Sequence, residues 1–419
     1  MQTKEQKEDL LHVFQKLENI KNLDYVTGWF NLASQYIRGM ENCRAAFVAT
    51  NSITQGELVA YLWPHILKEG IEIDFAHQSF KWTNNAKHNA GVTCVVVGLR
   101  NESRKPKFLF KDGNTAEAKN INAYLMDAPL VFVEKERESI SGFPSMAWGN
   151  QPIDGGHFIL SQKEKEHLLV NFPFAKKFVR NFVGSQEFIK GIQRWCLWIS
   201  DENILETMDI CPIRERIEKV RQFRLSSPSV STQKMASISY RFASIRHLET
   251  SALIVPIHSS ERREYIPMGY LGPDSIISNA ALAVYDAPMW LFGVLTSRMH
   301  MVWVRAVGGR LETRLRYSAE LCFNTFPFPE IDEELRKRLE SASRQVIAAR
   351  EEFLGQTMAE LYDPEKMPVL LREAHERLDA IVDRCFQKKP FRNDEERLAL
   401  LFERYQEMEG KKSNGKKKN

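Results

Sequence analysis

The 419-residue sequence lacks the motifs that mark several common kinds of site. It contains neither G-x-G-x-x-G nor G-x-x-x-x-G-K-[ST], so it predicts no dinucleotide-binding or phosphate-binding loop of those types. It has no H-E-x-x-H motif, and its six cysteines form no C-x-x-C pair, so we expect reduced cysteines and no metal site. It also lacks a signal peptide and any run of about 18 apolar residues, and we therefore expect a cytoplasmic protein without a membrane segment.

What the sequence does contain is an ordinary globular composition, with 43% hydrophobic and 27% charged residues. Its length is sufficient for two or three domains with buried cores. The formal net charge of +4 permits a polyanionic partner but does not by itself indicate one. Part of that charge lies in the terminal KKSNGKKKN, and we expect residues 410–419 to form a disordered basic tail.

Residues 1–110 follow the order α-β-α-β-β. Apolar residues recur at helical spacing over the first 40 residues, and the strand RAAFVAT follows them. A helix over LVAYLWPHILKEG then leads to two strands, IEIDFAHQSF and GVTCVVVGLR. The apolar run VTCVVVG is typical of a strand buried on both faces, which indicates an α/β sheet. Such a sheet would be unusual with only these strands, so we expect one half of a larger domain.

The rest of the sequence divides by composition into three parts before the tail. Residues 111–156 are rich in Gly, Asn, Ser and Pro and are predicted to be a linker. Residues 157–331 mix short strand, helix and loop patterns. Residues 332–409 are predicted to be helical, with helices over ELRKRLESASRQVIAAREEFLG and VLLREAHERLDAIVDRCF and a third after Asp394.

One stretch, GGRLETRLRYSAE from Gly308, alternates polar and apolar residues as an extended strand does. A single strand would carry its charged residues on one face, namely Glu312, Arg314 and Arg316. Its other face would be a core face of Leu311, Thr313, Leu315 and Tyr317. On the residues alone, a half-buried strand with a solvated, salt-bridged face is the more common explanation, and a surface that reads a ligand is the alternative.

Several longer strings match one family in the order in which they occur. They are LDYVTGWFNLASQYI with AFVATNSITQGELVAYLWP, IDFAHQSFKWTNNAK, GSQEFIKGIQRWCLWI, SSERREYIPMGYL, WLFGVLTSRMHMVWVRAVGGRLETRLRYS with FNTFPFPE, and LYDPEKMP with AHERLDAIVD. With these strings the sequence resembles the C-terminal part of the MmeI-like (type IIL) restriction–modification enzymes. Those enzymes are adenine-N6 DNA methyltransferases fused to a nuclease, and the resemblance covers nearly the whole chain.

The resemblance implies an α/β plus α+β fold in three parts. Residues 1–110 would be the C-terminal half of a class I, Rossmann-like methyltransferase domain. Residues 157–331 would be a mixed α/β target-recognition domain that binds double-stranded DNA, and residues 332–409 would be the C-terminal helical segment. The implied activity is that of a site-specific adenine-N6 DNA methyltransferase of a restriction–modification system, with S-adenosylmethionine as the cofactor.

Two motifs of that family do not occur in this sequence. The glycine-rich S-adenosylmethionine loop and the Asn-Pro-Pro-aromatic tetrapeptide, which holds the amino group of the target adenine, would lie upstream of the matching strings. We therefore expect no catalytic residue in this chain, an inactive isolated chain that does not bind the cofactor, and an upstream N-terminal fragment as a partner. The nearest counterpart of a nuclease motif is Asp363 with Glu365 and Lys366, which lie between predicted helices and are not expected to act.

Three interpretations of the chain remain open at this point. The chain is the recognition half of a methyltransferase, or it is a non-catalytic, sequence-specific DNA-binding fragment of a truncated or split gene. The third interpretation is a frameshifted remnant whose first 110 residues barely fold.

Two aromatic residues in QSFKWTN are candidates for holding the target base. An enzyme that methylates a base first flips it out of the duplex and holds it by stacking on aromatic side chains. In the family an aromatic residue of this loop stacks on the flipped base, and the resemblance assigns that role to Phe80 or Trp82. Without the resemblance, both would be taken as rim or core aromatics.

The resemblance assigns base recognition to the positions of Glu312, Arg314 and Arg316, and to an upstream pair, Asn279 and Ala280. These residue types suit the major groove, where Arg bonds bidentately to guanine, Glu accepts from cytosine and Asn pairs with adenine. Glu312 and Arg314, two residues apart on one strand face, can address the two members of one C·G pair. Arg316 can address another guanine.

Phosphate contacts position a protein on DNA without reading its sequence. The candidates for such contacts are Arg262, Arg263, Arg298, Arg305 and Arg310. Any one of them, taken alone, is more often a surface or structural arginine.

Overall fold

The computed structural model describes residues 2–15, 20–67, 70–82, 92–311 and 313–416, with side chains as far as residue 410. The chain folds as two compact units. The first unit contains Met1–Phe143, Arg298–Asp332 and Val382–Asn419. The second unit contains Pro144–Ser297 and Glu333–Ile381. Each unit is therefore built from separated pieces of the sequence.

The first unit begins with helices and a mixed sheet. Its elements up to residue 118 are α1 (Lys4–Phe14), α2 (Thr27–Ile37), β1 (Arg44–Thr50), α3 (Glu57–Ile66), β2 (Ile71–Lys81), β3 (Thr93–Asn101), β4 (Lys107–Lys111) and β5 (Asn114–Ala118). The predicted order α-β-α-β-β is confirmed, and β4 and β5 extend the sheet. The strand order is β1-β3-β2-β4-β5, with β3 antiparallel to both β1 and β2 and with β4 parallel to β2.

The centre of this sheet is buried and one of its edges is not. In β3, Val95 and Val97 on one face and Cys94 and Arg100 on the other are all buried, as the apolar run predicted. Within the described residues β1 pairs with β3 alone, so β1 is an edge strand. One face of β1 packs inward through Phe47, whose ring lies 5.0 Å from that of Phe30 on α2. The opposite face of β1 is exposed.

In the described part of the chain, the second unit contains two four-stranded sheets with helices around them. Its elements from residue 147 to residue 295 are β6 (Ala147–Trp148), β7 (Ile159–Leu160), α4 (Gln162–Asn171), β8 (Val179–Val183), α5 (Ser185–Lys190), β9 (Trp195–Leu197), α6 (Cys211–Leu225), α7 (Val230–Lys234), β10 (Ala252–Pro256), β11 (His258–Ser259), β12 (Gly269–Leu271), β13 (Ser275–Ile277), β14 (Ala281–Tyr285) and α8 (Met289–Leu295). One sheet has the order β12-β10-β14-β6 and the other β13-β8-β9-β7. Because β13 runs parallel to β8, the turns that follow these two strands lie at the same end of the sheet.

The remaining elements include the helical C-terminal segment. They are α9 (Arg298–Val307), β15 (Gly309–Leu311), β16 (Arg314–Arg316), α10 (Glu333–Glu351), α11 (Met358–Leu361), α12 (Val369–Phe386) and α13 (Asp394–Lys416). The predicted helical segment is confirmed, and α12 coincides with VLLREAHERLDAIVDRCF. The backbone of α13 is helical as far as Lys416, which differs from the disordered tail predicted from residue 410. Lysine has good helix propensity and no proline interrupts this stretch, so the helix can continue.

Candidate nucleic-acid interface

The stretch from Gly308 forms a hairpin, and the prediction of a single strand is wrong. β15 and β16 pair antiparallel, with Gly309 opposite Arg316 and Leu311 opposite Arg314. The chain reverses direction between Leu311 and Arg314, and Glu312 lies outside the described residues. The turn lacks the Asn-Gly or Asp-Gly pair that usually marks a two-residue reversal, so the alternating pattern continues through it without a visible break. The face assignments that assumed one strand must therefore be made separately for β15 and β16.

The arginines of β16 face solvent because its apolar residues are anchored in the core. Leu315 and Tyr317 are buried, whereas Arg314 and Arg316 are exposed, as predicted for this half of the stretch. Leu311 is 46% exposed, so its predicted place in the core is wrong. Among the described residues, the side chain of Arg316 has no hydrogen-bond or ion-pair partner. Its guanidinium is therefore available to an external acceptor.

A buried polar pair fixes the end of the hairpin to α9. The hydroxyl of Tyr317 lies 2.8 Å from Nε2 of His300 on α9. Burial lowers the pKa of His300 to about 3, so its ring is neutral at neutral pH. Burial also raises the pKa of Tyr317, so the pair is an uncharged hydrogen bond. An uncharged, buried hydrogen bond holds β16 in place without requiring an ion pair.

A cleft of about 990 Å³ lies between the hairpin and the end of β1 in the first unit. From the hairpin side it is lined by Arg310, Thr313 and Arg316, and from the sheet side by residues that include Thr50, Asn51 and Thr93. Arg310 makes a hydrogen bond on each side of the cleft. Its Nε donates to Oε1 of Gln55 at 3.0 Å, and its Nη1 donates to the carbonyl of Thr313 at 3.2 Å. Arg310 thus joins the two walls of the cleft, in addition to any role at a phosphate.

The two candidate stacking aromatics lie at the end of β2. A register irregularity between His77 and Phe80 interrupts the pairing of β2 with β3 at this point. Phe80 is half-buried, with its ring 5.7 Å from that of His77 and 6.4 Å from that of Trp82. Trp82 is exposed, and its backbone N–H donates to the carbonyl of Val92, which also lines the cleft. Residues 83–91, between these two positions, lie outside the described residues.

The Asn279–Ala280 pair forms a tight turn in the second unit, between β13 and β14. Both residues are exposed, and the N–H of Ala281 donates to the carbonyl of Ser278 at 2.9 Å to close the turn. The fully buried Asn150 holds the turn from one side, because its carbonyl accepts from the N–H of Asn279 at 3.0 Å. Ser185, at the start of α5, holds it from the other side by donating its hydroxyl to the carbonyl of Ala280. The turn is therefore fixed by partners distant in sequence.

The five predicted phosphate-contacting arginines are divided between the two units. Arg298, Arg305 and Arg310 belong to the first unit, and Arg262 and Arg263 belong to the second. Nε and Nη2 of Arg298 donate to the carboxylate of Asp394 at 2.8 and 3.4 Å. Arg262 pairs with Glu365. Arg305, on α9, is half-buried and lines a separate cavity of about 300 Å³ in the first unit.

Arg263 is partly buried. Burial lowers the pKa of Arg263, and the nearby carboxylate of Asp363 opposes that effect. An arginine remains protonated under such conditions, so the guanidinium stays a cation. The charge of Asp363 thus favours the cationic form of Arg263.

Sequence reasoning missed the residues that hold the Asn279–Ala280 turn. Gly149 and Asn150 lie in the stretch predicted to be a linker, and Ser185 follows a strand of the second unit. Their partners are about a hundred residues away in the chain, so no local pattern indicates them. Over the ranges that the structure describes, no three His, Cys, Asp or Glu side chains are grouped so as to hold a metal ion. No helix in those ranges is long and apolar enough to cross a bilayer.

Three family models match the chain in succession. They are the DNA-methyltransferase domain of MmeI over residues 1–111, its target recognition domain over residues 127–330 and its C-terminal domain over residues 331–411. The fold is thus that of a DNA methyltransferase with a target-recognition domain. The chain belongs to the MmeI family, and the predicted resemblance is confirmed.

The relatives of the chain are about twice as long. DNA methyltransferase A of Bacillus subtilis (strain 168) is 43% identical over 408 residues, which are 97% of this chain and 46% of that protein. A solved structure of the type IIL restriction–modification enzyme MmeI in complex with DNA is 42% identical, with a TM-score of 0.89. It covers 98% of this chain, and this chain covers 55% of it. The chain therefore spans about half the length of the relatives it matches.

Proposed function

We propose that this chain supplies site-specific DNA recognition to an adenine-N6 DNA methyltransferase of a restriction–modification system. The observation that carries the proposal is the exposed guanidinium of Arg316 on an anchored hairpin, beside a cleft that reaches the end of β1. A base-reading side chain must be held in a fixed place by its own strand, and the buried Leu315 and Tyr317 provide that support. MmeI, a relative of known structure, was solved in complex with DNA.

Base recognition is proposed for two short segments. On the hairpin, Glu312 and Arg314 would read one C·G pair, and Arg316 would read a guanine of another. In the second unit, Asn279 and Ala280 would read a further position, with the amide of Asn279 matching the edge of an adenine. The proposal is supported by the buried Leu315 and Tyr317 beside Arg316 and by the hydrogen bonds that hold the Asn279–Ala280 turn, because loosely held side chains discriminate poorly between bases.

Phe80 or Trp82 would stack on the flipped adenine. This proposal is supported by the aromatic character of the two side chains and by their position. Both rings lie at the end of β2, and the backbone N–H of Trp82 donates to the carbonyl of Val92 at the edge of the cleft. Base stacking on an aromatic side chain contributes about 1–3 kcal/mol per base. The exposed face of Trp82 and the half-buried ring of Phe80 are both compatible with that role.

The methyl donor in the family is S-adenosylmethionine, and the turn after β1 is the nearest candidate for its binding loop in this chain. The hydroxyl of Ser52 in that turn donates to Oδ2 of Asp24 at 2.9 Å, and the hydroxyl of Thr54 donates to the carbonyl of Asn51 at 3.0 Å. These groups are used within the protein, so the turn does not fit a cofactor cradle. We propose that the cofactor loop and the Asn-Pro-Pro-aromatic tetrapeptide are supplied by polypeptide other than these 419 residues.

The outer surface of α2 and β1 supports that part of the proposal. Trp29, Leu32 and Tyr36 lie on one face of α2 and are 56%, 44% and 68% exposed. The other face of α2 is buried, so the exposed apolar side chains lie on the face that normally carries polar residues, as in a helix covered on both sides. Beside it, Val48 is 50% exposed on the unpaired edge strand. An apolar edge strand is normally paired or covered, and a segment that adds a strand to β1 would cover both features.

We expect Arg316→Ala to relax the DNA sequence preference of the chain at one base pair. Each specific base contact is worth about 1–3 kcal/mol, so discrimination at that position should fall by roughly 5- to 150-fold. The measurement is selection from a pool of random-sequence duplexes, followed by fluorescence anisotropy on the selected sequence. Arg221→Ala, which removes an exposed arginine from α6, should leave the preference unchanged. An Arg316→Ala variant that selects the same sequence as the unaltered chain would contradict the proposal.

We expect the α2 and β1 surface to bind the half of a relative that this chain does not match. The test is co-expression of this chain with the unmatched part of Bacillus subtilis DNA methyltransferase A, followed by co-purification and mapping of methylated adenines. Trp29→Glu with Tyr36→Glu should abolish co-purification, because two charges would be buried in an apolar contact. Val170→Glu, at a residue of α4 that is 78% exposed, is the matched control. Equal co-purification of the double variant would refute this assignment, as would methylation by the chain alone.

A further inference from the structure

Arg246 is an exposed arginine that is held by the same short segment as the Asn279–Ala280 turn. Its backbone N–H donates to Oδ1 of Asn150 at 2.6 Å, and its Nη1 donates to the carbonyl of Gly149 at 3.3 Å. The N–H of the next residue, His247, also donates to Oδ1 of Asn150, at 2.9 Å. The carbonyl of Gly149 therefore orients the guanidinium of Arg246, and the side chain of Asn150 holds its backbone.

Asn150 joins this arginine to the proposed base-reading turn. The carbonyl of Asn150 accepts from the N–H of Asn279 at 3.0 Å, and Nδ2 donates to the carbonyl of Ile277 at 2.9 Å. Asn150 is fully buried, and both polar atoms of its side chain are used in the contact with Ile277 and in those with residues 246 and 247. One buried residue thus fixes two exposed ones, and neither can shift without breaking a hydrogen bond to the buried Asn150.

The spacing of the two exposed residues corresponds to a few base pairs. Bridges pair Gln151 with Ser244 on one side of the central segment and Asn150 with Ser278 on the other. Paired segments lie about 4.8 Å apart, so the two outer segments are separated by roughly 10 Å. Successive bases of a DNA strand rise by about 3.4 Å, so this distance corresponds to roughly three base-pair steps.

The charge of Arg246 is not neutralised within the described part of the chain. Arg246 has no carboxylate partner there, and its hydrogen bonds are with one backbone carbonyl and one side-chain amide. By contrast, Arg262 pairs with Glu365, and Arg298 pairs with Asp394. The guanidinium of Arg246 consequently keeps most of its donors for an acceptor outside the protein.

From these contacts we propose that Arg246 reads a guanine in the major groove, within about three base pairs of the base read by Asn279. The inference rests on the proposed DNA recognition and adds a contact to it. A guanine presents two acceptors on its groove edge, O6 and N7, which match two donors of one guanidinium. The orientation imposed by Gly149 and Asn150 favours a base edge over a phosphate, because a phosphate accepts hydrogen bonds from many directions, whereas a base edge requires a fixed one.

The experiment compares the full chain with Arg246→Ala, Arg246→Lys and the control Arg221→Ala. Each protein selects duplexes from the random pool, and affinities for the selected sequence and its single-base variants are measured at several salt concentrations. We expect Arg246→Ala to lose a guanine preference at one position by roughly 5- to 150-fold and to keep the preferences at the others. Arg246→Lys should retain affinity but discriminate less, because an ammonium group is not bidentate. Arg246 is exposed, so the unfolding midpoint of each variant should match that of the unaltered chain.

Three results would overturn the inference in distinguishable ways. An unchanged selected sequence for Arg246→Ala would show that this residue reads no base. Uniform weakening across all sequences, with a salt dependence reduced by about one phosphate contact, would make Arg246 a phosphate contact instead. If the unaltered chain selects no sequence at all, the proposed function itself fails, and the role of Arg246 fails with it.

Discussion

Replacing Arg224 with alanine should lower the free energy of unfolding of the second unit by about 3–5 kcal/mol, because five buried carbonyl groups lose their hydrogen bonds to one cationic donor. Arg224 lies on α6 and its side chain is fully buried. Its guanidinium donates five hydrogen bonds to five backbone carbonyls, those of Pro152, Ile153, Met235, Ile238 and Arg241, at 2.8–2.9 Å. Alanine would leave all five carbonyls without this donor.

The expected loss of stability follows from the free energy cost of buried carbonyl groups that have lost their hydrogen-bond donor. A buried carbonyl that loses its partner costs about 1–3 kcal/mol, and the sum for five would exceed the expected total. Water can enter the vacated space and hydrate some of them, which reduces the loss. Burial also lowers the pKa of Arg224, and the nearby Asp154 opposes that effect, so the desolvation cost of the cation partly offsets the gain from its bonds.

The measurement is urea denaturation, combined with hydrogen exchange of a peptide covering residues 235–243. Arg224→Lys should be intermediate, because lysine has three donors and cannot reach five carbonyls in a planar array. Arg221→Ala, on the same helix but 52% exposed, should remain within about 0.5 kcal/mol of the unaltered chain. An Arg224→Ala variant as stable as Arg221→Ala would show that the five bonds contribute little.

The elements that were predictable from sequence are those whose signals are local. β1 at RAAFVAT and α12 at VLLREAHERLDAIVDRCF have the predicted bounds, because strand and helix periods repeat within one element. The helix after Asp394 begins at that residue for the same reason. The family also followed from sequence, because collinear strings distributed along the chain carry more information than any single motif.

The pairing of elements was not predictable in the same way. The stretch from Gly308 has strand alternation throughout, yet its reversal into β15 and β16 depends on what each half packs against. Leu315 is buried in the core, whereas Leu311 is exposed, and the alternating pattern alone cannot distinguish these two leucines. Register and face are set by tertiary contacts whenever the turn itself has no characteristic residues.

The supports of the candidate site were hidden for a related reason. Asn150 lies in a Gly- and Pro-containing stretch whose composition is typical of a linker, but its partners are at positions 246, 247, 277 and 279. The sequence shows which arginines could contact DNA, but it does not show which of them form ion pairs within the protein, as Arg298 does with Asp394. The assignment of individual base-reading and phosphate-binding residues stays a prediction.

Gly149→Ala should remove selective DNA binding more completely than the loss of any single base-reading side chain. A Cβ at Gly149 would lie 2.1 Å from the carbonyl oxygen of Ser278 and 2.7 Å from that of Ile277. Both obstacles are backbone atoms of β13 and the turn, so the contact cannot be relieved by rotating a side chain. Gly149 does not have a positive φ, so the effect arises from crowding and not from backbone strain.

Crowding at Gly149 should act on the proposed site in two ways. The Ser278–Ala281 turn must move away, which displaces Asn279, and the hydrogen bond from the N–H of Gly149 to the carbonyl of Ala281 at 3.0 Å weakens. The carbonyl of Gly149 also orients Arg246, so its displacement disturbs a second proposed contact. Two base contacts at about 1–3 kcal/mol each correspond to a loss of selectivity of roughly 30-fold or more. Overpacking should in addition reduce stability by about 1–3 kcal/mol.

The matched control for this variant is Gly272→Ala. Gly272 is exposed and does not have a positive φ, and no atom lies within 4 Å of the position that an added Cβ would occupy, so the same substitution should change neither stability nor binding. Salt-dependent, non-selective binding to DNA should persist in Gly149→Ala, because that part of the affinity comes from charge and not from the shape of the turn. Persistence of non-selective binding with loss of the selected sequence would separate a displaced turn from an unfolded unit. A Gly149→Ala protein that selects the same sequence with the same affinity as Gly272→Ala would instead mean that the turn between β13 and β14 takes no part in reading DNA.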